Sequence, residues 1–267
     1  MKRFTRLVSA LAAAVAPAML AASPVAAQLQ PHRAEYSLRL GTALNATRIG
    51  RIVQDIRLDC DGWRVRRELS VEMSLTPTLK VGITSRMEGE EQRGGNGFTW
   101  RTAQVVNGSR REVGGTVQRS VSGYRVDLKM EDGPEQSILP PLTLMPVAAM
   151  DYVVRRLIAG SEAFPVLLFG AEADGAAFLV DVRKAADGTP EASPPSQRFV
   201  KVPGRQSWPF VSAITRPAQR DGKPILTLRG RLFDSGVMDG LVVDAGVVTV
   251  AAYLRNLEMR EAPNCPK

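Results

Sequence analysis

Few side chains in this sequence could act as a nucleophile or a proton carrier. There is one histidine, His32, which stands between Pro31 and Arg33. A catalytic base needs a partner and a pocket, whereas a histidine at the start of a strand more often serves packing or hydrogen bonding. With a single histidine, neither a Ser-His-Asp nor a Cys-His arrangement has a strong candidate. We therefore predict no catalytic residues and no enzymatic activity.

The densest acidic cluster consists of Glu88, Glu90 and Glu91, in the segment RMEGEEQR. A pair of carboxylates can catalyse glycoside hydrolysis, so this cluster is a candidate for that activity. In a strand, however, Glu88 and Glu90 would share one face, where the flanking Arg86 and Arg93 could pair with them. We interpret the cluster as part of a solvated strand with ion pairs.

Three aspartates, Asp234, Asp239 and Asp244, lie close to glycines in the segment LFDSGVMDGLVVDAG. Such residues commonly form turns. Weak calcium binding is an alternative, although the spacing matches no standard calcium loop. A zinc site would want more soft or imidazole ligands than one histidine and two cysteines provide. We predict neither a metal site nor a cofactor.

The two cysteines, Cys60 and Cys265, predict a disulfide if the protein is exported, because an even pair is oxidised in such a compartment. A bridge between them would close nearly the whole mature chain. The alternative is a redox-active pair, which is disfavoured because there is no Cys-x-x-Cys motif and neither cysteine opens an apparent helix.

Residues 1–27 have the pattern of a secretory signal peptide. A basic start (Lys2, Arg3 and Arg6) precedes an apolar run, and small residues before Ala27 suit a signal peptidase. A membrane anchor is the alternative, but the apolar run is shorter than a span requires, and the mature chain has no other candidate. Removal of three basic side chains lowers the net charge from +8 to +5. The arginines are dispersed rather than clustered, so we predict no nucleic-acid partner.

Most of the mature chain has strand patterns separated by turn signals. The clearest is 62–75, where Trp63, Val65 and Val71 alternate with charged or polar residues; Arg67 interrupts the apolar face. A hairpin is predicted from 80–93 and 97–107, and a short strand is predicted at 199–202. We count about a dozen antiparallel strands and predict a mainly β fold, in which a curled sheet or incomplete barrel forms one domain over 28–267. Two β-sandwich domains joined near Pro140 are the alternative.

One amphipathic helix is predicted between these strands, beginning near Pro146 and ending at Gly160. Its apolar stripe should be buried against the sheet. The stripe consists of Val147, Met150, Val154, Leu157 and Ile158. The polar face would contain Asp151, Arg155 and Arg156, which we predict to border the interior of the sheet or to form a partner surface.

Several motifs resemble, in order, those of the EipB-like cell envelope integrity family of alphaproteobacteria. They are PHRAEYSLRL (31–40), CDGW (60–63), LP (139–140), MP (145–146), LFG (168–170) with DG (174–175), LFDSGV (232–237), LVVD (241–244) and the terminal Cys265. The resemblance spans the mature chain. Two departures are Tyr152, in a region where a histidine is usual, and Ala245, where an aromatic residue is common.

This resemblance implies a periplasmic β-spiral, an open antiparallel sheet that holds a central helix, with its N- and C-terminal regions joined by a disulfide. It also implies a non-enzymatic role in envelope integrity under stress, through a periplasmic tetratricopeptide-repeat partner. A second hypothesis is a carrier or sensor of a lipid or other apolar envelope ligand, because a curled sheet can enclose a cavity. A hydrolase is a third hypothesis, for which the sequence offers no candidate residues.

Overall fold

The computed structural model describes residues 29–43, 45–74, 76, 78–172, 175–186, 200–204, 206–217 and 222–265. The predicted signal peptide therefore lies outside the described residues. The described chain forms fifteen strands and one helix. The strands are β1 (His32–Leu40), β2 (Arg48–Leu58), β3 (Gly62–Ser74), β4 (Lys80–Gln92), β5 (Gly97–Val106), β6 (Ser109–Ser120), β7 (Gly123–Met130), β8 (Gly133–Leu139), β9 (Thr143–Leu144), β10 (Ala163–Gly170), β11 (Ala176–Lys184), β12 (Ser207–Thr215), β13 (Leu226–Phe233), β14 (Met238–Asp244) and β15 (Thr249–Met259); the helix is α1 (Pro146–Ile158).

All fifteen strands belong to one nearly closed, barrel-like sheet. Its order is β8-β7-β6-β5-β4-β3-β2-β1-β15-β14-β13-β12-β11-β10-β9. Two meanders, one on each side of the helix in sequence, are therefore joined where the first strand pairs with the last. The predicted fold class, a curled antiparallel sheet with one central helix, is confirmed.

The sheet departs from the prediction in two places. The two-residue strand β9 was not predicted, and it runs parallel to β10, because the intervening helix carries the chain back to the same end of the sheet. The strand predicted at 199–202 is absent over 200–202. Val200 and Val202 instead pack by their side chains against the apolar cluster around Tyr36.

The two edges of the sheet meet at a short connection. The edge strands β8 and β9 are separated only by residues 140–142, where the Thr143 N–H donates to the Pro140 carbonyl at 3.0 Å. Near this connection, Phe169 of β10 packs in one buried cluster with Val126 and Leu128 of β7. One end of the sheet is thus tucked against the inner face of the other, as in a spiral.

Aromatic side chains fill the space between these two ends. Phe169 lies edge-on to Trp100, with ring centroids 4.9 Å apart, and Phe98 stacks beside Trp100. A Cβ at Gly89 would lie 2.5 Å from the Phe98 ring. Glycine at position 89 is therefore needed to let this ring lie flat on strand β4.

The helix packs inside the sheet against strands of both meanders. Its buried residues share one cluster with Val65 and Met87 of the first meander and with Val166, Phe210 and Leu232 of the second. Within the described residues, no helix is long and apolar enough to cross a membrane.

The predicted apolar stripe is correct for Val147, Val154 and Leu157, and Met150 is partly buried. Ile158 was predicted to be buried, but it is 41% exposed. Ala149, on the opposite side of the helix, is buried instead. The first turn of α1 is therefore enclosed on both sides, whereas the last turn buries Leu157 and exposes Arg155, Arg156 and Ile158.

The predicted disulfide is present between Cys60 and Cys265, whose Cα atoms are 5.5 Å apart. It joins the turn between β2 and β3 to the tail that follows β15. In the chain-entropy model, a disulfide that closes so long a loop stabilises the folded protein by about 5 kcal/mol at most.

Candidate functional site: the helix and its seat

The N-terminus of α1 is capped by a side chain from a distant strand. Pro146 occupies the first turn, and Met145 at the N-cap position supplies no side-chain hydrogen bond. The carboxylate of Glu91, on β4, accepts the N–H of Val147 at 2.7 Å and that of Ala148 at 2.8 Å. Two of the N–H groups that a helix start leaves without a partner are thereby satisfied, which fixes the helix to the sheet.

Glu91 is almost completely enclosed, with 3% of its surface exposed. Burial raises its pKa to about 7, against the opposing effect of the two N–H donors, and the nearby charge of Asp151 raises it further. The same group therefore changes its charge near neutral pH while it holds the helix.

The interpretation of the acidic cluster is correct for two of its members and wrong for the third. Glu88 and Glu90 are exposed, and Glu88 pairs with the predicted Arg86 at 2.9 Å. Glu90 pairs with Arg64 at 3.5 Å and not with Arg93, which donates to the Asp59 carbonyl instead. Glu91 points to the opposite face, because side chains alternate along a strand. Its odd position, shared with the buried Met87, was the signal that could have located it.

The turn between β4 and β5 closes over the same end of the helix. Gly95 has a φ of +70°, and a Cβ built on it would lie 3.1 Å from that of Ala148. The Tyr124 hydroxyl donates to the Gly95 carbonyl at 3.3 Å. We call Glu91, Gly95 and Tyr124 the helix seat, because they hold the first turn of α1.

The predicted polar residues lie on the side of the helix that faces away from this core. Asp151 and Arg155 form an ion pair at 2.9 Å, and the Arg155 side chain is 63% exposed. The Arg156 guanidinium lies 5.4 Å from the centroid of the Phe164 ring. The helix thus presents two exposed cations held in fixed positions. Their use as an interior lining or a partner surface stays a prediction.

The single histidine lies away from this surface and has a packing role. His32 is buried, and its Nδ1 lies 2.8 Å from the Gln30 carbonyl. Burial lowers its pKa, although the Gln30 hydrogen bond and the charge of Asp55 act in the opposite direction. The neutral ring therefore fits the predicted role in packing and hydrogen bonding.

The three aspartates near glycines divide into two types. Asp244 accepts the N–H of Gly246 at 2.8 Å, and Asp234 accepts that of Gln206 at 3.2 Å, as expected for loop residues. Asp239 is fully buried and accepts the N–H of Leu254 at 3.0 Å, so it joins β14 to β15. Across the described residues, no group of three or more His, Cys, Asp or Glu side chains is placed to hold a metal ion.

Comparisons with known proteins agree on one family and one fold. A family model described as EipB-like matches residues 23–261. A crystal structure of a β-barrel-like protein of a domain of unknown function, DUF1849, from Brucella abortus superposes with a TM-score of 0.75 at 20% identity. That match covers 88% of this chain and 99% of the other. No curated protein matches the chain.

Proposed function

The chain belongs to the EipB-like family, and from that premise we propose that it maintains the integrity of the cell envelope from the periplasm, by binding another protein rather than by catalysis. The exposed face of α1, with Asp151, Arg155 and Arg156, is the surface we assign to the partner. A periplasmic tetratricopeptide-repeat protein is the partner class that the family resemblance suggests.

This proposal rests on the contacts that hold the helix in the sheet. Its first turn is held by Glu91 through two short hydrogen bonds, and its stripe is buried against both meanders. Arg155 and Arg156 therefore stand on a rigid element. Binding of a partner would cost little conformational entropy at this surface. A rigid pair of guanidinium groups suits an acidic patch on that partner.

Deletion of the gene tests the role, and complementation tests the surface. Cells without the protein should become sensitive to detergent, bile salt or β-lactam, and the wild-type gene should restore resistance. An Arg155→Glu/Arg156→Glu double variant should be exported and folded but fail to restore it. A matched Arg110→Glu/Arg125→Glu variant, with the same charge change on β6 and β7, should complement.

Two results would count against this proposal in different ways. An unchanged envelope after deletion would remove the role itself. Full complementation by the Arg155→Glu/Arg156→Glu variant would keep the role but reject the helix face as the partner surface.

A second candidate is a carrier or sensor of a lipid or other apolar ligand. It is favoured by the inner face of the sheet, where Ile52, Leu69 and Ile83 are only partly buried beside the cluster around Tyr36. Apolar side chains that remain partly accessible on a concave surface can receive a hydrocarbon chain. Native mass spectrometry of protein purified from the export compartment should then show bound lipid, and consistently empty protein would reject this candidate.

A further inference from the structure

The outer face of the sheet contains a row of alternating charges that crosses six strands. Register places the following residues side by side, from β15 to β5: Glu258, Arg33, Asp55, Arg66, Glu88 and Arg101. Opposite charges on directly paired strands stabilise a sheet. This row alone is electrically balanced, with three cations and three carboxylates.

The balance is broken at Asp55, because two further arginines bind it. Arg57 donates to its carboxylate at 2.8 Å, and Arg260, which follows β15, donates to both of its oxygens at 3.1 and 3.3 Å. Arg260 also lies 3.6 Å from Glu258. The two carboxylates that register places beside Arg33 are thus both engaged by Arg260.

Arg33 is consequently left without a counter-ion. Its side chain is partly buried, and no carboxylate of the described residues lies within ion-pair distance of it. It lines a cavity of about 290 Å³ together with Val53. The charged residues of this cavity, which we call the Asp55 pocket, are Arg33, Arg57, Arg66, Arg260, Asp55 and Glu68.

We propose that the Asp55 pocket is a binding site for a phosphate group, carried by a lipid headgroup or by a soluble phosphate ester. Four guanidinium groups line the pocket. Three of them already pair with carboxylates: Arg57 and Arg260 with Asp55, and Arg66 with Glu68 at 3.0 Å. Arg33 therefore offers the positive charge that a phosphate monoester or diester can meet, and the paired arginines surround it with further donors. Guanidinium groups also match the geometry of phosphate oxygens in pairs.

Asp55 has a defined part in this site. It is 8% exposed, and its two oxygens hold Arg57, on its own strand β2, and Arg260, in the tail after β15. The pocket is therefore organised before a ligand arrives, and the two arginines retain donor groups that can face the cavity. Arg33 supplies a cation that pairs with no carboxylate among the described residues. This site does not depend on the proposed envelope role or on the helix face.

The test uses two probes that separate the two sources of phosphate. Inorganic phosphate is titrated into the ¹⁵N-labelled protein, and the Arg Nε–Hε signals are followed by NMR. Vesicles of phosphatidylglycerol, with phosphatidylcholine vesicles as the neutral control, are tested by co-sedimentation. Saturable binding that Arg33→Gln weakens about tenfold is expected. Arg125→Gln, which removes an equal charge from an arginine paired with Asp127 at 3.3 Å, should change affinity less than about twofold.

Each result has one meaning. Saturation by inorganic phosphate supports a site for soluble esters, and binding to anionic vesicles alone supports a headgroup site. Equal losses in Arg33→Gln and Arg125→Gln, or no saturable binding to either probe, would overturn the proposal. Arg33→Lys, which keeps the charge, should retain part of the affinity, and circular dichroism of each variant confirms that it is folded.

Discussion

Glu91 and Asp55 are both nearly buried carboxylates of one sheet, but they lie on opposite faces and are treated in opposite ways. Glu91 faces inward and receives only backbone N–H groups from the helix. Asp55 faces outward and receives two guanidinium groups. Burial raises the pKa of Glu91 to about 7, whereas for Asp55 the bonds from Arg57 and Arg260 outweigh burial and lower the pKa.

The comparison shows that burial alone does not decide the charge of a carboxylate. Full positive charges compensate the lost hydration of Asp55, but the two backbone dipoles at Glu91 do so incompletely. The inner carboxylate is therefore a support of the helix that titrates near neutral pH, and the outer one anchors the C-terminal tail and stays charged at neutral pH.

The largest expected effect is on stability, from removing the carboxyl group of the helix seat. Glu91→Ala should lower the free energy of unfolding by about 3–4 kcal/mol at pH 5.5, because it leaves two buried N–H groups without acceptors and opens a cavity. Urea unfolding measures this change. Glu91→Gln, which keeps a carbonyl acceptor and the volume, should lose clearly less. Equal losses in the two variants would show that the hydrogen bonds to the helix contribute little.

The pH dependence of stability should be the next largest effect. The pKa of Glu91 in the folded protein is about 7, above its ordinary value of 4.5, so its contribution to stability is complete below pH 4.5 and is lost as pH rises through 7. The difference between these values corresponds to about 3 kcal/mol. Urea midpoints between pH 4.5 and 8 should fall in the wild type and stay nearly level in Glu91→Gln. A similar fall in both proteins would mean that another group carries the pH dependence.

Asp55 should act in the opposite direction and at lower pH. Its pKa is lowered in the folded protein, so its contribution is present above the unfolded value of 3.8 and is lost as pH falls further. Asp55→Asn should cost about 1–2 kcal/mol at pH 7, because Arg57 is largely exposed and is easily rehydrated. It should also reduce the loss of stability below pH 4. If the variant loses as much stability below pH 4 as the wild type, other carboxylates are responsible for that loss.

Most of the strands could be predicted because their partners impose a pattern on the local sequence. The alternation in β3 marks an inner and an outer face without any knowledge of its neighbours. The strand β9 has only two residues, which is too short for any periodicity to be detected. The segment at 200–202 has apolar residues at strand spacing, but it is buried by side-chain packing alone.

For the key charged side chains of the two faces, the sequence predicts the face that each residue occupies but not its partner. Glu91 could have been placed inside by its odd position on β4, but its role as a helix cap depends on a contact across 56 residues. Arg260 meets Asp55 across 205 residues, and that contact changes the balance of the whole outer row. Local patterns indicate which face a residue occupies, whereas the closure of the sheet decides which charges meet there.

A smaller change in stability is expected when the charge near Glu91 is altered and its hydrogen bonds are kept. Asp151 raises the pKa of Glu91 through its charge, so Asp151→Asn should move the pH step in stability toward lower pH while leaving its direction unchanged. The variant also loses the ion pair with Arg155, at a cost of about 0.3–0.5 kcal/mol. The comparison variant is Glu162→Gln, which removes an exposed carboxylate paired with Lys184 and should leave the step in place. If both variants shift it equally, the net charge of the protein, rather than the helix seat, sets the titration of Glu91.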